Sequence, residues 1–264
     1  MALSVMTWNI NSVRLRLGLL KEAAARHDPD VICLQETKVR DELFPAADIA
    51  AMGYGHQAIL GEKGYNGVAV LSRLPIVEQT PYYWCAKEDC RHLAVRLENG
   101  ITIHNLYVPA GGDVPDPEQN PKFAHKLQFL DELTDFFSQN KPQQSILVGD
   151  LNIAPSEYDV WSHKQLLKIV SHTPVEVEAL ARLSRAGGWV DAVRHVIPEP
   201  EKIYSWWSYR ARDWRKGDRG RRLDHIWVSP DLEATIGDVL IDREARGWEK
   251  PSDHVPVRAG FNIG

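Results

Sequence analysis

The sequence has few cysteines, and their spacing excludes several kinds of framework. Three occur among 264 residues, at positions 33, 85 and 90, and none belongs to a C-x-x-C motif. Three cysteines cannot all form pairs, and zinc sites usually place cysteines about two to four residues apart. We therefore expect reduced thiols and a cytoplasmic location rather than a disulfide scaffold or a zinc protein.

Two other features are missing, a long apolar run and a nucleotide-binding loop. No apolar run approaches the roughly 20 residues that span a bilayer, and no basic region precedes the first strand pattern. We therefore expect no signal peptide and no membrane partner. The sequence contains neither a Walker-type loop nor a G-x-S-x-G motif, so P-loop nucleotide hydrolysis and serine esterase chemistry have no support.

Positive charge is scarce in the chain as a whole and concentrated in one place. The formal net charge is −5, yet the segment 202–222, which we call the basic arm, carries eight lysines and arginines and two aspartates. Trp206, Trp207, Tyr209 and Trp214 are interleaved with these charges. The pattern favours a groove for nucleic acid, although a solvated charged face over packed tryptophans has the same composition.

The order of the predicted elements indicates an α/β fold. Residues 3–8 and 31–34 read as buried strands, and the apolar repeat over 13–24 predicts a helix capped by Asn11 or Ser12. Further helices are predicted at 41–52, 123–137 and 174–186, and further strands at 54–60, 68–71, 92–97, 101–108, 145–148, 203–208, 222–229, 235–241 and 254–261. Strands mixed with crossover helices and hairpins predict one domain, residues 1–264, with two packed sheets and helices outside. One very wide mixed sheet fits the same pattern.

The motif Gly149-Asp150-Leu151-Asn152 follows an apolar strand and is the strongest local sign of chemistry. Because residues i and i+2 of an extended chain point the same way, Asp150 and Asn152 project together from the end of a buried strand. The carboxylate can take a proton or hold a cation, and the amide can donate to an oxyanion without adding charge. A simple turn also favours Gly, Asp and Asn, so the motif alone does not decide.

Other polar side chains stand at or near predicted strand ends, namely Asn9, Glu36, Tyr107, Asp224, Asp253 and His254. Ligands bind at the carboxyl ends of strands in open α/β sheets, so we expect these side chains to gather in one cleft. Asp224 shares a strand face with Ile226 and Val228, and a buried acid needs a partner. The imidazole of His254 is the simplest one. Taken by itself, Tyr107 reads more readily as a buried aromatic residue. The oxygen ligands suit Mg²⁺ or Mn²⁺ better than a thiolate-bound metal.

Seven short motifs follow one another along nearly the whole chain. They are Trp8-Asn9-Ile10-Asn11, Leu34-Gln35-Glu36-Thr37-Lys38, Tyr65-Asn66-Gly67-Val68-Ala69, Asn105-Leu106-Tyr107-Val108-Pro109, Gly149-Asp150-Leu151-Asn152-Ile153-Ala154-Pro155, Arg222-Leu223-Asp224 and Lys250-Pro251-Ser252-Asp253-His254. In this order they resemble the exonuclease III family of the endonuclease/exonuclease/phosphatase superfamily. The resemblance implies a four-layer α/β sandwich, two packed mixed β-sheets flanked by helices, with the site at the top of the two facing sheets.

The resemblance also implies a divalent cation, Mg²⁺ or Mn²⁺. Glu36, with Asn9 and Asp253, would hold it, and Asp150 would activate the attacking water or, in a two-metal version, bind a second ion. The candidate metal ligands are therefore Asn9, Glu36, Asp150, Asn152, Asp253 and His254. A metal and preorganised donors lower the barrier because a phosphodiester is an anion that an incipient anion attacks.

The same resemblance assigns the contacts with the phosphate. Asn152 would hydrogen-bond it, and Tyr107 would contact it or ease departure of the leaving oxygen. His254, oriented by Asp224, would stabilise its charge. The candidate catalytic residues are Tyr107, Asp150, Asn152, Asp224 and His254.

The segment 204–210 is similar to the family's segment that lines the abasic-site pocket and contacts DNA. The candidate DNA-binding residues are Trp206, Trp207, Arg210, Arg212, Arg215, Lys216 and Arg221. Three positions depart from the family pattern. Asn11 stands where some relatives have a metal-binding aspartate, Ala110 where relatives often have an amide that contacts DNA, and Arg221 where relatives tend to have a large apolar residue beside the abasic pocket. We therefore expect reduced selectivity for abasic sites, with 3′ end trimming retained.

The resemblance thus implies a DNA-repair phosphodiesterase that needs a divalent metal. It would cut duplex DNA on the 5′ side of abasic sites, remove nucleotides or blocking groups from 3′ ends, and act as a monomer. Two alternatives remain. One is a phosphoesterase of small molecules or lipids on the same fold, which the basic arm disfavours. The other is a nucleic-acid-binding member without strong catalysis, which the filled catalytic positions disfavour.

Overall fold

The computed structural model describes residues 2–211 and 213–263 and contains two six-stranded sheets. The strands are β1 (Ala2–Asn9), β2 (Val31–Gln35), β3 (His56–Leu60), β4 (Val68–Ser72), β5 (Ile76–Trp84), β6 (Lys87–Leu97), β7 (Thr102–Tyr107), β8 (Ser145–Asp150), β9 (Val190–Asp191), β10 (Asp224–Val228), β11 (Ile236–Ile241) and β12 (Val257–Asn262). The helices are α1 (Leu17–His27), α2 (Ala46–Ala50), α3 (Pro121–Gln139), α4 (His163–Leu166), α5 (Pro174–Gly187), α6 (Ala192–Val196) and α7 (Trp214–Gly217). Short 3-10 turns occur at Asp41–Leu43, Glu157–Asp159, Pro230–Thr235 and Arg243–Gly247.

The first sheet has the strand order β11-β12-β1-β2-β4-β3, and the second has the order β5-β6-β7-β8-β10-β9. Both sheets are mixed, because β1 runs parallel to β2 and β7 runs parallel to β8, whereas the other neighbours are antiparallel. Each parallel pair is joined by a crossover that contains a helix, α1 in the first sheet and α3 in the second. This arrangement follows from geometry, since parallel neighbours cannot be joined by a tight turn.

The apolar pattern of the central strands explains how the layers pack. Every residue of β2 is buried, and its side chains alternate between two cores. Val31 and Cys33 point into the core between the sheets, while Ile32 and Leu34 pack in the core that contains residues of α1. On the second sheet, α3 and α5 cover the outer face. The four predicted layers, helix, sheet, sheet and helix, are therefore confirmed.

The carboxyl ends of the two parallel pairs lie at the same edge of the sandwich. β1 ends at Asn9 and β2 at Gln35, directly before Glu36, while β7 ends at Tyr107 and β8 at Asp150. Asp150 pairs with the first residue of the antiparallel strand β10. The polar residues that follow the apolar runs are thus gathered by topology alone.

Gly149 permits the close approach of β7 and β8. Its φ is 142°, and a Cβ there would lie 1.9 Å from the carbonyl oxygen of Leu106. Real Cβ atoms do not approach a backbone oxygen so closely, so a larger residue would push the two strands apart. Since Tyr107 and Asp150 end these strands, the glycine sets the spacing of two candidate catalytic residues.

Several predicted elements differ from the structure. The segment 203–208 is not a strand but an irregular stretch with isolated bridges from Trp206 to Arg221 and to His254. Helix α1 begins at Leu17 and has Arg16 as its cap residue, because both Asn11 and Ser12 have positive φ angles and belong to a preceding loop. The predicted helix over 41–52 is divided by Pro45 into a 3-10 turn and α2.

Strand β5 was not predicted at all. It lies at the edge of the second sheet, and most of its residues are exposed or half-buried. An edge strand carries polar side chains and tolerates Pro81, so it lacks the apolar alternation that identifies a half-buried strand.

Among the described residues, no helix is long and apolar enough to cross a membrane. All three cysteines are buried and free, as predicted.

Candidate active site

One large cavity of about 1080 Å³ opens at the carboxyl ends of the parallel strands. We call one part of its lining the acidic end, which consists of Glu36, Tyr107, Asp150, Asn152, Asp253 and His254. We call another part the aromatic end, which consists of Trp161, Trp206, Trp214, Lys216, Arg219 and Arg221. The cavity therefore brings the candidate catalytic side chains into one space with several residues of the basic arm.

Asp150 lies at the centre of the acidic end and is only 1% exposed. Its Oδ2 accepts hydrogen bonds from the amide nitrogens of Asn9 (2.9 Å) and Asn152 (3.1 Å) and lies 3.6 Å from Nε2 of His254. Burial raises the pKa of Asp150 to about 7 against the charge of His254, and the charge of Asp224 adds to the rise. A carboxyl group with such a pKa is suited to exchange a proton near neutral pH.

His254 is held between two acids. Its Nδ1 lies 2.8 Å from Oδ2 of Asp224, which also accepts a hydrogen bond from the Ser205 hydroxyl at 2.6 Å. The predicted contact between Asp224 and His254 is therefore present. Burial disfavours the charged imidazole, but attraction from Asp224 and Asp150 outweighs it and raises the pKa of His254 to about 10. The imidazole is thus a fixed positive charge at neutral pH.

Glu36 follows β2 directly and has a left-handed backbone with φ of 51°. Its Oε1 accepts from the amide nitrogen of Asn9 at 2.8 Å, and its Oε2 lies 2.7 Å from Nζ of Lys38. Burial opposes ionisation, but the charge of Lys38 and the hydrogen bonds lower the pKa of Glu36. The amide of Asn9 therefore connects two carboxylates, those of Glu36 and Asp150. Lys38 also donates to Oδ1 of Asn11 at 2.6 Å.

Asp253 connects the two ends of the cavity. Its carboxylate accepts from the amide nitrogen of Asn11 at 3.2 Å and from Nε1 of Trp206 at 3.0 Å. Burial alone would raise the pKa of Asp253, but the charge of His254 and these two donors lower it. The carboxylate is therefore ionised, and its position depends on an indole of the aromatic end.

Asn152 has a left-handed backbone with φ of 53°, and its amide is already engaged. The amide nitrogen donates to the carbonyl of Val108 at 2.9 Å and to Asp150 at 3.1 Å. A contact between this nitrogen and a phosphate would have to replace one of these hydrogen bonds. Among the described residues no donor hydrogen-bonds the amide oxygen, which leaves it available as a ligand.

Tyr107 ends β7 beside Asp150 in the parallel pair and is 8% exposed. Burial and the negative charges of Glu36 and Asp150 raise the pKa of Tyr107 well above its usual value, so the phenol stays protonated and can donate. The guanidinium of Arg91 lies 4.8 Å from the centre of the Tyr107 ring. Sequence reasoning missed Arg91, which lies directly before the predicted strand 92–97 and, in the structure, on β6 beside the strand of Tyr107.

Lys126 is a second residue that sequence reasoning missed. It lies on α3, is fully buried, and forms an ion pair with Glu176 of α5. Its Nζ also donates to the carbonyl oxygens of Ala110 (3.3 Å) and Asn152 (2.9 Å). One ammonium group thus ties the loop after β7 to the loop after β8. The signal in the sequence was a lysine on the otherwise apolar face of a helix.

The acidic end fits a hard divalent cation. Within the described part of the chain, ligand atoms of Asp150, Asp224 and His254 lie within 4.8 Å of one another. Since Asp224 and His254 already hydrogen-bond each other, the carboxylate oxygens of Asp150 and Glu36, which the amide nitrogen of Asn9 connects, are the better donor set. Burial raises the pKa of Asp150 most, and the negative charges of Asp224 and Glu36 raise it further, so a cation bound here would offset both effects. Oxygen donors with excess negative charge are the ligands that Mg²⁺ and Mn²⁺ prefer.

The aromatic end is built from arginines stacked on tryptophans. The guanidinium of Arg219 lies 4.7 Å from the ring centre of Trp161, and that of Arg221 lies 5.1 Å from that of Trp206. Antiparallel bridges pair Arg221 with both Val160 and Trp206, which places the two stacks side by side. Cation–π contacts hold the arginine planes and leave N–H groups at their edges for ligands.

The seven predicted DNA-binding residues have different environments. Four of them line the cavity, namely Trp206, Arg210, Lys216 and Arg221. Arg215 is exposed and stacks on Trp214 at 5.1 Å. Arg212 lies outside the described residues.

The DNA contact predicted for the side chain of Trp207 is wrong. This residue is 1% exposed, and its ring packs against those of Tyr204 and Trp214 beneath the basic arm. Its Nε1 donates to Asp218 at 3.0 Å. Adjacent residues in an extended stretch point in opposite directions, so when Trp206 lines the cavity, Trp207 enters the core.

Comparison with known proteins agrees with the fold. Residues 6–254 match the Endonuclease/Exonuclease/phosphatase family. Exodeoxyribonuclease III of Haemophilus influenzae is 33% identical over 269 residues, which cover 97% of this chain and 98% of that protein. An exodeoxyribonuclease of Bacillus subtilis is 32% identical over 99% of this chain and 100% of that protein.

Two solved structures are similar over almost the whole chain. An AP endonuclease from Archaeoglobus fulgidus has a TM-score of 0.91 and 32% identity, covering 99% of this chain and all of that one. A 3′ phosphatase from Neisseria, bound to a product DNA hairpin, has a TM-score of 0.90 and 33% identity at the same coverage. The chain therefore belongs to the endonuclease/exonuclease/phosphatase family. Within it, the chain is a hydrolase of the exodeoxyribonuclease III type, and the family predicted from the seven motifs is confirmed.

Proposed function

We propose that this protein is a DNA-repair phosphodiesterase that cuts duplex DNA on the 5′ side of abasic sites and removes nucleotides or blocking groups from 3′ ends. The observation that carries the proposal is the position of Asp150, hydrogen-bonded and buried at strand ends, in a cavity whose other end is cationic and aromatic. The names of the relatives, exodeoxyribonuclease, AP endonuclease and 3′ phosphatase, support the same substrate class.

Asp150 is the group that takes a proton from the attacking water. Burial raises its pKa to about 7 without a bound cation, and a cation held nearby would lower this pKa and keep the carboxylate ionised to accept the proton. The protonated imidazole of His254, fixed by Asp224, stabilises the negative charge that develops on the phosphate. Because the imidazole does not reorient during the reaction, its full charge acts on the transition state.

Tyr107 and Asn152 complete the contacts with the phosphate. The phenol of Tyr107 stays protonated in its buried position and donates to a phosphate oxygen or to the leaving oxygen. Asn152 approaches the phosphate from the loop after β8, and Lys126 fixes this loop through the backbone oxygen of Asn152. The amide nitrogen of Asn152 would exchange its hydrogen bond to Val108 or Asp150 for one to the phosphate.

A divalent cation, Mg²⁺ or Mn²⁺, would be held by Glu36, Asn9 and Asp150. When bound, it would supply Lewis-acid chemistry, stabilising negative charge on the phosphate and activating the attacking water. The two carboxylates are already brought together, because the amide nitrogen of Asn9 donates to both. The amide oxygen of Asn9 accepts from the backbone N–H of Asn11 at 3.2 Å and would turn toward the ion to ligate it.

Duplex DNA is the proposed partner, and the basic arm is its proposed contact. Arg210 and Lys216 belong to the cavity lining and neutralise phosphates, while the half-buried indole of Trp206 offers a face for an unstacked sugar or base. A monomer in the cytoplasm is the proposed working form.

Three substrates test the proposal with the purified full chain. They are a duplex with one abasic site, an unmodified duplex with a recessed 3′ end, and an inositol polyphosphate, each assayed with Mg²⁺ or with a chelator. We expect metal-dependent cleavage of both duplexes. Turnover of the inositol phosphate alone would replace the nuclease function with small-molecule chemistry. Turnover of none, with tight RNA binding, would favour a non-catalytic role.

A further inference from the structure

Arg221 extends from one wall of the cavity to another. Its guanidinium carbon lies 5.1 Å from the ring centre of Trp206, and its Nη1 donates to the carbonyl of Val170 at 3.0 Å and to the hydroxyl of Ser171 at 2.8 Å. Trp206, Val170 and Ser171 all line the cavity. The guanidinium therefore joins the indole wall to the wall formed by residues 169–171 and occupies the space between them.

The charge of Arg221 has no acidic partner in the described part of the protein. None of the ion pairs formed by residues 2–211 and 213–263 includes it, whereas the adjacent Arg222 pairs with Asp159 and Asp191. The Nε of Arg221 is buried without a hydrogen-bond partner, and only its Nη1 donates to described residues. Buried charges are costly unless paired. Because Nε is buried and Nη1 is engaged, Nη2 is the group of Arg221 left to donate to an anion that comes from outside the chain.

Trp206 links Arg221 to the catalytic groups. Its backbone forms isolated bridges with Arg221 on one side and with His254 on the other, and its Nε1 donates to Asp253. Arg221 and His254 thus flank the same residue and line the same cavity, so an anion bound by Arg221 would share that cavity with the phosphate that His254 would stabilise.

We propose that Arg221 is a specificity-determining residue that favours DNA ending in a 3′-phosphate over DNA with an internal abasic sugar; this inference rests on the proposed function. An internal phosphodiester carries a sugar beyond the scissile phosphorus, and that sugar would need the space that the guanidinium crosses. A 3′-phosphate carries an additional oxygen and a second negative charge there instead. The N–H groups of Nη2, which form no hydrogen bond with the described residues, can donate to that oxygen from a group with a full positive charge.

The reaction on this substrate is hydrolysis of a phosphomonoester. The oxygen of water forms a bond to phosphorus while the bond from phosphorus to O3′ breaks. One proton of the water ends on O3′, which leaves as the 3′-hydroxyl, and the other remains on the released inorganic phosphate. No oxidant or further reactant is needed.

Arg219 provides a matched control. It stacks on Trp161 as Arg221 stacks on Trp206 and lines the same cavity, but no hydrogen bond connects it to residues 169–171 among those described. Its removal takes away the same charge without opening the space between the walls. A general loss of attraction for DNA should therefore appear in both variants, and a change of specificity only in the Arg221 variants.

The test compares kcat/KM for two duplexes of the same sequence, one with a 3′-phosphate at a nick and one with an internal abasic site. For Arg221→Leu we expect a fall of roughly 10- to 100-fold on the 3′-phosphate, the scale of one hydrogen bond to a charged group, together with a rise on the abasic duplex. Arg221→Lys keeps the charge but not the guanidinium, so its ratio of the two values should be intermediate. Arg219→Leu should lower both values by the same factor.

An unchanged ratio in Arg221→Leu, with both duplexes still cut, would overturn the inference and leave the proposed function intact. Failure of the unmodified protein to cut either duplex would overturn the proposed function itself. If Arg221→Leu loses its fold, judged by circular dichroism, Arg221→Lys decides the matter, because an unchanged ratio in that variant also contradicts the inference.

Discussion

The two ends of the cavity are held in place by different interactions. At the acidic end, Asp150 accepts three directed hydrogen bonds within 3.1 Å and is 1% exposed. At the aromatic end, Arg219 is positioned by stacking on Trp161, and Arg221 combines stacking on Trp206 with hydrogen bonds from a single nitrogen, Nη1. A directed hydrogen bond fixes distance and angle, whereas a stacked cation can slide over a ring at little cost.

This difference follows from where the residues lie in the fold. Asn9, Tyr107 and Asp150 are the last residues of strands whose register is fixed by buried neighbours. Trp161, Trp206 and Arg221 lie in loops connected by isolated bridges. Catalysis needs groups preorganised within a fraction of an ångström, while DNA binding tolerates adjustment. The same cavity therefore combines a rigid chemical end with a more adaptable binding end.

The largest effect is expected from Asp150→Asn. This change removes the proton acceptor and keeps the size of the side chain, so kcat on the abasic duplex should fall by about 10³- to 10⁴-fold. The melting temperature should change by only a few degrees, because the buried shape is kept. Turnover within tenfold of the unmodified protein would show that another group accepts the proton.

Asp224→Asn should have the next largest effect. The charge of Asp224 contributes to the raised pKa of His254, so its loss should lower that pKa. Since the charged imidazole is the active form, the fall of kcat at alkaline pH should begin at a lower pH in the variant. We also expect kcat at pH 7 to fall by about 10²- to 10³-fold. A pH–rate profile identical to that of the unmodified protein would mean that the carboxylate has only a structural role.

The position of the acidic end at strand ends also explains which of its residues could be predicted from the sequence. Apolar strands followed by a polar residue predicted Asp150, Glu36 and Asn9 at one edge, since topology alone gathers strand ends. The same pattern did not reveal Lys126 or Arg91. These residues lie on α3 and β6, outside the strand ends that the pattern identifies. The role of each residue came from the seven ordered motifs, because the positions of strand ends do not show which side chain holds a metal and which contacts the phosphate.

The basic arm shows where such reasoning fails. Composition identified its cations and aromatic residues, but not the direction of each ring. Trp206 and Trp207 are neighbours of the same type, and only the first lines the cavity. Strand β5 escaped prediction for a related reason, because an exposed edge strand has no apolar face to mark it.

Removal of positive charge from the basic arm should weaken DNA binding and leave the chemical step almost unchanged. The double change of Arg210→Ala and Lys216→Ala should lower DNA affinity by about tenfold at moderate salt and flatten the slope of log K against log salt by about 1 to 2, because each phosphate contact releases a counterion. The value of kcat should change little. Fluorescence anisotropy at several salt concentrations measures both quantities.

The matched control removes two cations from α5. Arg182 and Arg185 form exposed ion pairs on the outer helix layer, so their replacement by alanine changes the net charge equally without altering the cavity. If this control flattens the salt slope as much as the arm variant does, the arm does not contact the phosphates of the duplex.

The smallest effect, and the one that separates metal binding from turnover, concerns Glu36→Gln. At a Mg²⁺ concentration ten times its dissociation constant, the ion should stabilise the unmodified protein by about 1.4 kcal/mol, or a few degrees in melting temperature for a chain of this size. Glutamine removes the charge that Glu36 contributes to the donor set but retains an oxygen near Asn9. The variant should therefore show a smaller melting shift with Mg²⁺ while its melting temperature in chelator stays close to that of the unmodified protein.

Arg182→Ala should retain the full shift, because its ion pair lies on the outer helix layer. An undiminished shift in Glu36→Gln would place the cation elsewhere, and Asp150→Asn, measured in the same way, would then show whether Asp150 holds it without Glu36.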